Sequence, residues 1–249
     1  MIRNLSFSTV PADDTVMWRY MDFAKFMSLL ENESVFFLRG DLFVDKYEGT
    51  VPKQVIDNLS FYKADTGELV QVGESLRGSI SNVYEMMRGF VFINCWHMNN
   101  IESAAMWDLY AKRGNGIAIR TTFGDIKKSF SKSTKDIIAA EVKYIDYSKD
   151  NVLDGTMISP FIYKRKSFEH EREFRLIVSD QLNALDGKGG FKEASNNGLS
   201  IDICLEHLIK SVYISPNSEK WFEELVDSLV RKYNIKAVVI QSSLYEFPS

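Results

Sequence analysis

The sequence predicts an α+β fold: a single domain whose central sheet is mixed, largely antiparallel and flanked by helices. Three observations predict it. Strand-like and helix-like segments are interleaved without the strict alternation of a doubly wound sheet. No internal repeat, heptad or low-complexity tract is present. No Pro- or Gly-rich linker divides the 249 residues.

Asp22 is placed to cap a helix whose apolar face is Phe23, Phe26, Met27 and Leu30, the spacing that puts side chains on one helical stripe. Residues 35–39 read as a short strand, and Gly40-Asp41 turns the chain into a polar segment, 41–49, expected to be a loop over a strand end. Residues 63–80 carry three glycines and few large apolar groups, which predicts an exposed, mobile flap, with helical spacing resuming at 80–87. Residues 90–96 are rich in aromatic and β-branched side chains and predict a strand. A helix over 102–111 and a strand over 116–122 follow, joined by a tight turn at 112–116.

In the second half, residues 137–147 predict one long strand and 158–168 a helix, with Pro160 in its first turn. Residues 173–178 pass from alternating to wholly apolar, the pattern of a strand with one end in the core. The glycines at 187–190 mark a second mobile loop, within 181–197. Strands at 199–204 and 211–215, a helix at 219–233 and a strand at 236–240 complete the chain.

The composition narrows the function classes. With 30 basic against 34 acidic residues, the net charge of −4 gives no global attraction to nucleic acid or an anionic membrane, so a polyanion would need a local patch. No apolar run approaches the roughly 20 residues of a membrane span, and the N-terminus lacks a secretory signal, so a cytoplasmic location is expected. Three histidines lie at no metal-ligand spacing, so no metal site is expected. Cys95 and Cys204 sit in apolar strand-like runs and read as buried free thiols. Walker, GxGxxG, GxSxG, HExxH and CxxC motifs are all missing.

Three polar constellations carry the chemistry. The densest runs from Lys164 to Arg175, and strand alternation puts Glu171, Glu173 and Arg175 on one face. Two carboxylates so spaced repel unless a cation intervenes, and either can be raised toward a general base; Arg175 or Lys166 is the expected cation. The bland reading of the same run is a solvated strand end or an ion-pair network. In the second, Glu102 can cap a helix N-terminus, Trp96, Trp107 and Tyr110 offer flat rings for a nucleotide base, or simply core, and Cys95 and His97 fall on one strand face. In the third, Arg19 between Trp18 and Tyr20, with Arg39 beyond, suits a phosphate or carboxylate clamp, against buried pairing with Asp41 or Asp45.

The strings NCWHMNNIESAAMWDLY (94–110) and GIAIRTT (116–122) resemble a bacterial family classed as domain of unknown function, number twenty-nine seventy-one. WRY (18–20), DKYEG (45–49), VKYID (142–146) and KSFEHEREFR (166–175) carry the same resemblance across nearly the whole chain. More remotely, an aromatic-Arg strand followed by a late strand entered through Glu-x-Glu is similar to the ADP-ribosyltransferases, including DarT-like toxins. That resemblance implies an ADP-ribosyltransferase-like fold and NAD as substrate. It implies that Arg19 holds NAD, that Tyr110 or Trp107 stacks on nicotinamide, and that Glu173 is the catalytic carboxylate with Glu171 beside it. The Ser-Thr-Ser strand of the arginine-directed enzymes and a first-strand histidine are absent.

The functional expectation is therefore an NAD-using transferase or glycohydrolase, a toxin or antiphage effector acting on a protein or nucleic-acid acceptor, with a cognate antitoxin or defence partner. Its catalytic set is Glu173, Glu171 and Arg175, and its cofactor-binding set is Arg19, Tyr20, Arg39, Trp96, Trp107, Tyr110 and Lys166. Glu173→Gln is expected to abolish activity with little change in melting temperature. Two alternatives stand beside it. One is a metal-dependent nuclease or phosphohydrolase with magnesium on Asp45, Glu48, Glu171 and Glu173. The other is a nucleotide or nucleic-acid sensor binding through Arg19, Arg39, Trp96 and Trp107 without turnover.

Overall fold

The computed structural model describes residues 2–6, 8–52, 55–56, 61–63, 69–71, 74–110, 114–150, 152, 156–180, 192 and 196–246. Its strands are β1 (Ile2–Asn4), β2 (Val16–Asp22), β3 (Ser34–Arg39), β4 (Phe61–Lys63), β5 (Leu69–Gln71), β6 (Val91–Met98) and β7 (Gly116–Thr122). They continue as β8 (Ile137–Glu141), β9 (Lys143–Ile145), β10 (Tyr163–Arg165), β11 (Glu173–Ser179), β12 (Gly198–Asp202), β13 (Ser211–Ile214) and β14 (Val238–Gln241). Ten of them form a mixed, mainly antiparallel sheet, β1-β8-β11-β6-β2-β7-β13-β14, with β3 also on β6 and β12 on β3.

That branching shapes the molecule. β11 lines one whole edge of β6, from Glu173 opposite His97 to Ser179 opposite Val91. The other edge is shared: β2 pairs at Met98 and His97, while β3 pairs at Ile93 and Phe92. Between them the sheet forks. Asn94 spans the fork, donating from Nδ2 to Phe36 O at 2.8 Å and accepting from Trp96 Nε1 at 2.8 Å.

One face of the sheet is closed by the helices Phe23–Asn32, Phe123–Ser129 and Lys220–Lys232. Their Phe26, Leu30, Ile126, Phe222 and Val226 join Met17, Trp96, Ile117, Phe174 and Leu176 in the main core. The alternate residues of the same strands point the other way. There Ile93, Ile138 and Ile177 meet Phe161 and Ile162, and Trp18, Tyr20 and Ala118 meet Met106 and Trp107 of the helix Ala104–Tyr110. The first helix starts as its sequence dictates: Asp22 Oδ1 accepts from Lys25 N at 2.8 Å, satisfying an otherwise orphaned donor. It ends at Asn32, before Glu33 in the left-handed region.

Several expected elements differ. Residues 158–168 are not one helix: a 3-10 turn at Ser159–Ile162 leads into β10, and a second 3-10 stretch covers Lys166–Glu171. β10 is extended because its backbone pairs in parallel with β9, a partner that local periodicity does not reveal. The long strand expected at 137–147 breaks at Val142, whose N–H turns to Glu173 O, leaving β8 and β9. Where a flap was expected at 63–80, β4 and β5 pair antiparallel and a helix already begins at Glu74. Residues 64–68 and 72–73, and most of the loop expected at 181–197, lie outside the described residues. Among the described residues no helix is long and apolar enough to cross a membrane.

Candidate functional site

The site lies where β11, β6, β9, β10 and the loop carrying Glu48 meet. Register fixes its floor: Glu173 faces His97 and Arg175 faces Cys95, so all four side chains leave the same side of the sheet. Glu171 precedes the strand, and Arg172, with φ of 40°, breaks the alternation that was expected to align it with Glu173. Its carboxylate reaches the cluster by another route, through Lys164.

Lys164 is the hub. From the middle of β10 its Nζ stands 2.7 Å from Glu171, 3.1 Å from Glu173 and 3.2 Å from Glu48. Arg175, with no exposed surface, donates Nε to Glu173 Oε1 at 2.9 Å, Nη2 to Glu173 Oε2 at 3.0 Å and Nη1 to Phe161 O at 2.7 Å, and Nη2 also bonds Glu48. The loop bearing Glu48 is fastened by Asp45, which accepts two bonds from Arg165, and the Arg165 guanidinium lies over the rings of Tyr47 and Phe168. Buried charges persist only when paired in this way.

The two carboxylates have opposite characters. Burial alone would raise Glu173, but the charges of Arg175 and Lys164 and their hydrogen bonds bring it down to about 2. It is a fixed anion. For Glu171, burial dominates and raises it above the usual carboxylate range, against the pull of Lys164, with Glu173 and Glu48 adding repulsion. Of the two, Glu171 is thus the group better suited to exchange a proton. Burial, then Glu173, pushes the Cys95 thiol well up, and the thiol hydrogen-bonds Glu173. It is no nucleophile, although Cys95 and His97 do share a face as expected.

His97 Nδ1 is 2.6 Å from Glu171 O. A carbonyl only accepts, so Nδ1 carries the proton and Nε2 is a bare acceptor, buried and without a partner among the described residues. Tyr110 stands over this side: burial and the charges of Glu171, Cys95 and Glu173 all push its hydroxyl up, while its ring is 46% exposed. Arg19 sits at the fork, opposite Ile119 of β7, with its guanidinium 5.7 Å from the Trp96 ring centre. Its Nη1 is buried and unpartnered among the described residues, and burial lowers it to about 10, with Cys95 and Tyr110 the titratable groups that offset this.

The structure thus brings together Glu171, Glu173 and Arg175, with Tyr110 beside them; Arg19 leaves the other face of β2, with Met17 and Met21, and lies next to Trp96 at the fork. Tyr20 and Trp107 form an aromatic wall, ring centres 4.9 Å apart; Tyr20 hydroxyl accepts from Ser103 N, and Trp107 Nε1 donates to Glu102. Trp96 leaves the opposite face of β6 and packs in the main core. Arg39 is bonded to Asp41 and Asn196 O, and Lys166 is exposed, 3.9 Å from Asp150; neither joins the cluster. The cation between the carboxylates is therefore Lys164 as well as Arg175, where Lys166 or Arg175 was expected. Lys164 was legible only as one charge in a charged run. Tyr144, whose hydroxyl accepts from Glu173 N at 2.8 Å, was marked only as part of the string VKYID (142–146), with no role of its own. Among the described residues no cluster of His, Cys, Asp and Glu is arranged to hold a metal ion.

The profile of a family described as protein of unknown function (DUF2971) matches residues 106–176, a stretch that contains Tyr110, Lys164, Glu171, Glu173 and Arg175. No curated protein matches the chain. Among solved structures, the chain is similar to Thermus sp. 2.9 DarT in complex with NAD+, at 7% identity and a TM-score of 0.40, over 96% of this chain and 100% of that one. It is similar also to the same protein in complex with ADP-ribosylated single-stranded DNA, at 7% identity and 0.40, over 97% and 100%.

Proposed function

We propose that this site consumes NAD, cleaving the nicotinamide–ribose bond and passing the ADP-ribosyl group to an acceptor or to water. The observation that carries the reading is a separation of charge. At the fork, a buried Arg19 guanidinium has a donor with no partner among the described residues. On the carboxylate side, the cations paired with Glu48, Glu171 and Glu173 among the described residues are Lys164 and Arg175, leaving one negative charge in excess when all are ionised. A ligand with a diphosphate at one end and a cationic ring at the other complements both. NAD has that pattern.

The chemistry fits the residues. Breaking the bond to ribose builds positive charge on the sugar, which a fixed buried carboxylate stabilises most where water is excluded. Glu173 supplies that charge; Glu171 takes the proton of the attacking hydroxyl or water; Arg19 binds diphosphate oxygens; and the half-exposed Tyr110 ring covers the nicotinamide. A magnesium-centred reading would need the same carboxylates to release Lys164, and Asp45 to release Arg165.

The test is nicotinamide release from NAD by wild-type and Glu171→Gln protein, with and without EDTA. Release that needs Glu171 and ignores EDTA supports the reading. Release lost in EDTA favours the metal-dependent alternative, and intact NAD bound without turnover favours the sensor. A role as toxin or defence effector belongs to the same proposal through its motif resemblance. Growth arrest on expression, relieved by Glu171→Gln, would support it.

A further inference from the structure

We propose that Lys164 is a positioning residue for this reaction: its ammonium is the built-in cation around which Glu48, Glu171 and Glu173 are arranged, in the place a divalent metal takes in a three-carboxylate site. Its side chain is 7% exposed and its three partners 4, 10 and 5% exposed, so each carboxylate has lost its water and depends on protein cations. Arg175 serves only two of them, Glu48 and Glu173. Among the described residues Glu171 is paired with Lys164 alone.

The groups facing Glu171 sort cleanly by sign. Burial, Glu173 of β11 and Glu48 of the neighbouring loop favour its protonated form, and the charge and hydrogen bond of Lys164 oppose them. Around these stand Tyr144 of β9, Tyr110 of the helix Ala104–Tyr110, Cys95 of β6, and Phe168, whose ring lies 5.0 Å from Lys164 Nζ. None of them brings a second positive charge to Glu171. Lys164 is the one strong influence that lowers Glu171, so removing it shifts the balance toward the protonated form, which cannot act as a base. The residue acts through Glu171 and touches no substrate.

The inference rests on the NAD reading for its kinetic readout but not for its direct one. The direct readout is the carboxyl titration of Glu171 by carbon NMR, assigned with Glu171→Gln. In Lys164→Ala it should move to higher pH. Propylamine, which replaces the atoms that alanine lacks, should return it, and Lys164→Arg should hold it near the wild-type position. In kcat/KM for nicotinamide release, the acid limb should follow, with about a tenfold loss at a pH one unit below the new midpoint. If Lys164→Ala does not fold, the charge-balanced Lys164→Ala/Glu48→Gln protein carries the same test, because Glu48 acts on Glu171 less than burial, Lys164 or Glu173 does. An unmoved Glu171 titration in whichever variant folds overturns the role of Lys164. Wild-type protein that releases no nicotinamide overturns the NAD reading instead and leaves the titration to decide this one.

Discussion

Glu173→Gln tests the electrostatics of the site most directly. The carboxylate is 4% exposed and held down to about 2 by Arg175 and Lys164. Against an ordinary glutamate near 4.5, that difference is worth about 3 kcal/mol of native stability. The sign follows from proton binding. The unfolded chain takes up the proton more readily, so the contribution is fully present above about 4.5 and is lost as pH falls toward 2. Glutamine lacks the charge and also turns an NH2 donor toward two cations. At neutral pH the variant should therefore melt about 6–12 °C below wild type. The gap should narrow progressively as the pH is lowered through 4.5 toward 2. This differs from the expectation that Glu173→Gln leaves the melting temperature nearly unchanged, because the buried carboxylate is paired with both Arg175 and Lys164. Thermal unfolding followed by circular dichroism across that pH series is the assay. A gap below about 2 °C at pH 7, or one that does not change with pH, would refute the reasoning.

Two further outcomes follow from buried atoms, Arg19 Nη1 and His97 Nε2, that have no partner among the described residues. Arg19→Met removes a buried guanidinium that burial brings down to about 10, a cost to the fold at every pH below that value. The variant should gain stability, about 1 kcal/mol or more, while losing affinity for NAD; a variant that melts lower and binds unchanged contradicts both roles. His97 should remain a neutral Nδ1–H imidazole below its ordinary titration range, since burial and the charges of Arg172 and His170 lower it. Its contribution to stability is then present above about 6.5 and declines as pH falls below it. Nitrogen NMR showing a protonated Nε2 at neutral pH would contradict the assignment.

What was legible in the sequence was whatever local periodicity could encode. Asp22 at its helix start, β6, β7 and β11 fall where spacing puts them, and Glu171, Glu173 and Arg175 were found as one cluster. What was hidden depended on contacts distant in sequence. Glu48 meets Arg175 across 127 positions, and Lys164 is aimed at the carboxylates only because β10 pairs with β9. Trp96 is a different kind of miss. Alternation that puts Cys95 and His97 on the site face necessarily puts Trp96 on the other, so its place in the core followed from the same rule. Arg39 is paired instead with its neighbour Asp41, two positions along the chain, which accepts from its Nε at 2.6 Å.

The order in which the chain supplies the site has a consequence for the cell that makes it. Arg19, Glu48, Cys95 and Tyr110 all precede residue 111, but the anion and its cations come with β10 and β11. A nascent chain that has not yet delivered β11 to the edge of β6 holds an aromatic recess and a loose Glu48, with nothing to drive bond cleavage. Long-range strand pairing of this kind forms late, after large loops have closed. On the NAD-consuming reading proposed above, activity switches on with completion of the fold rather than during synthesis, and a truncated or misfolded copy is silent.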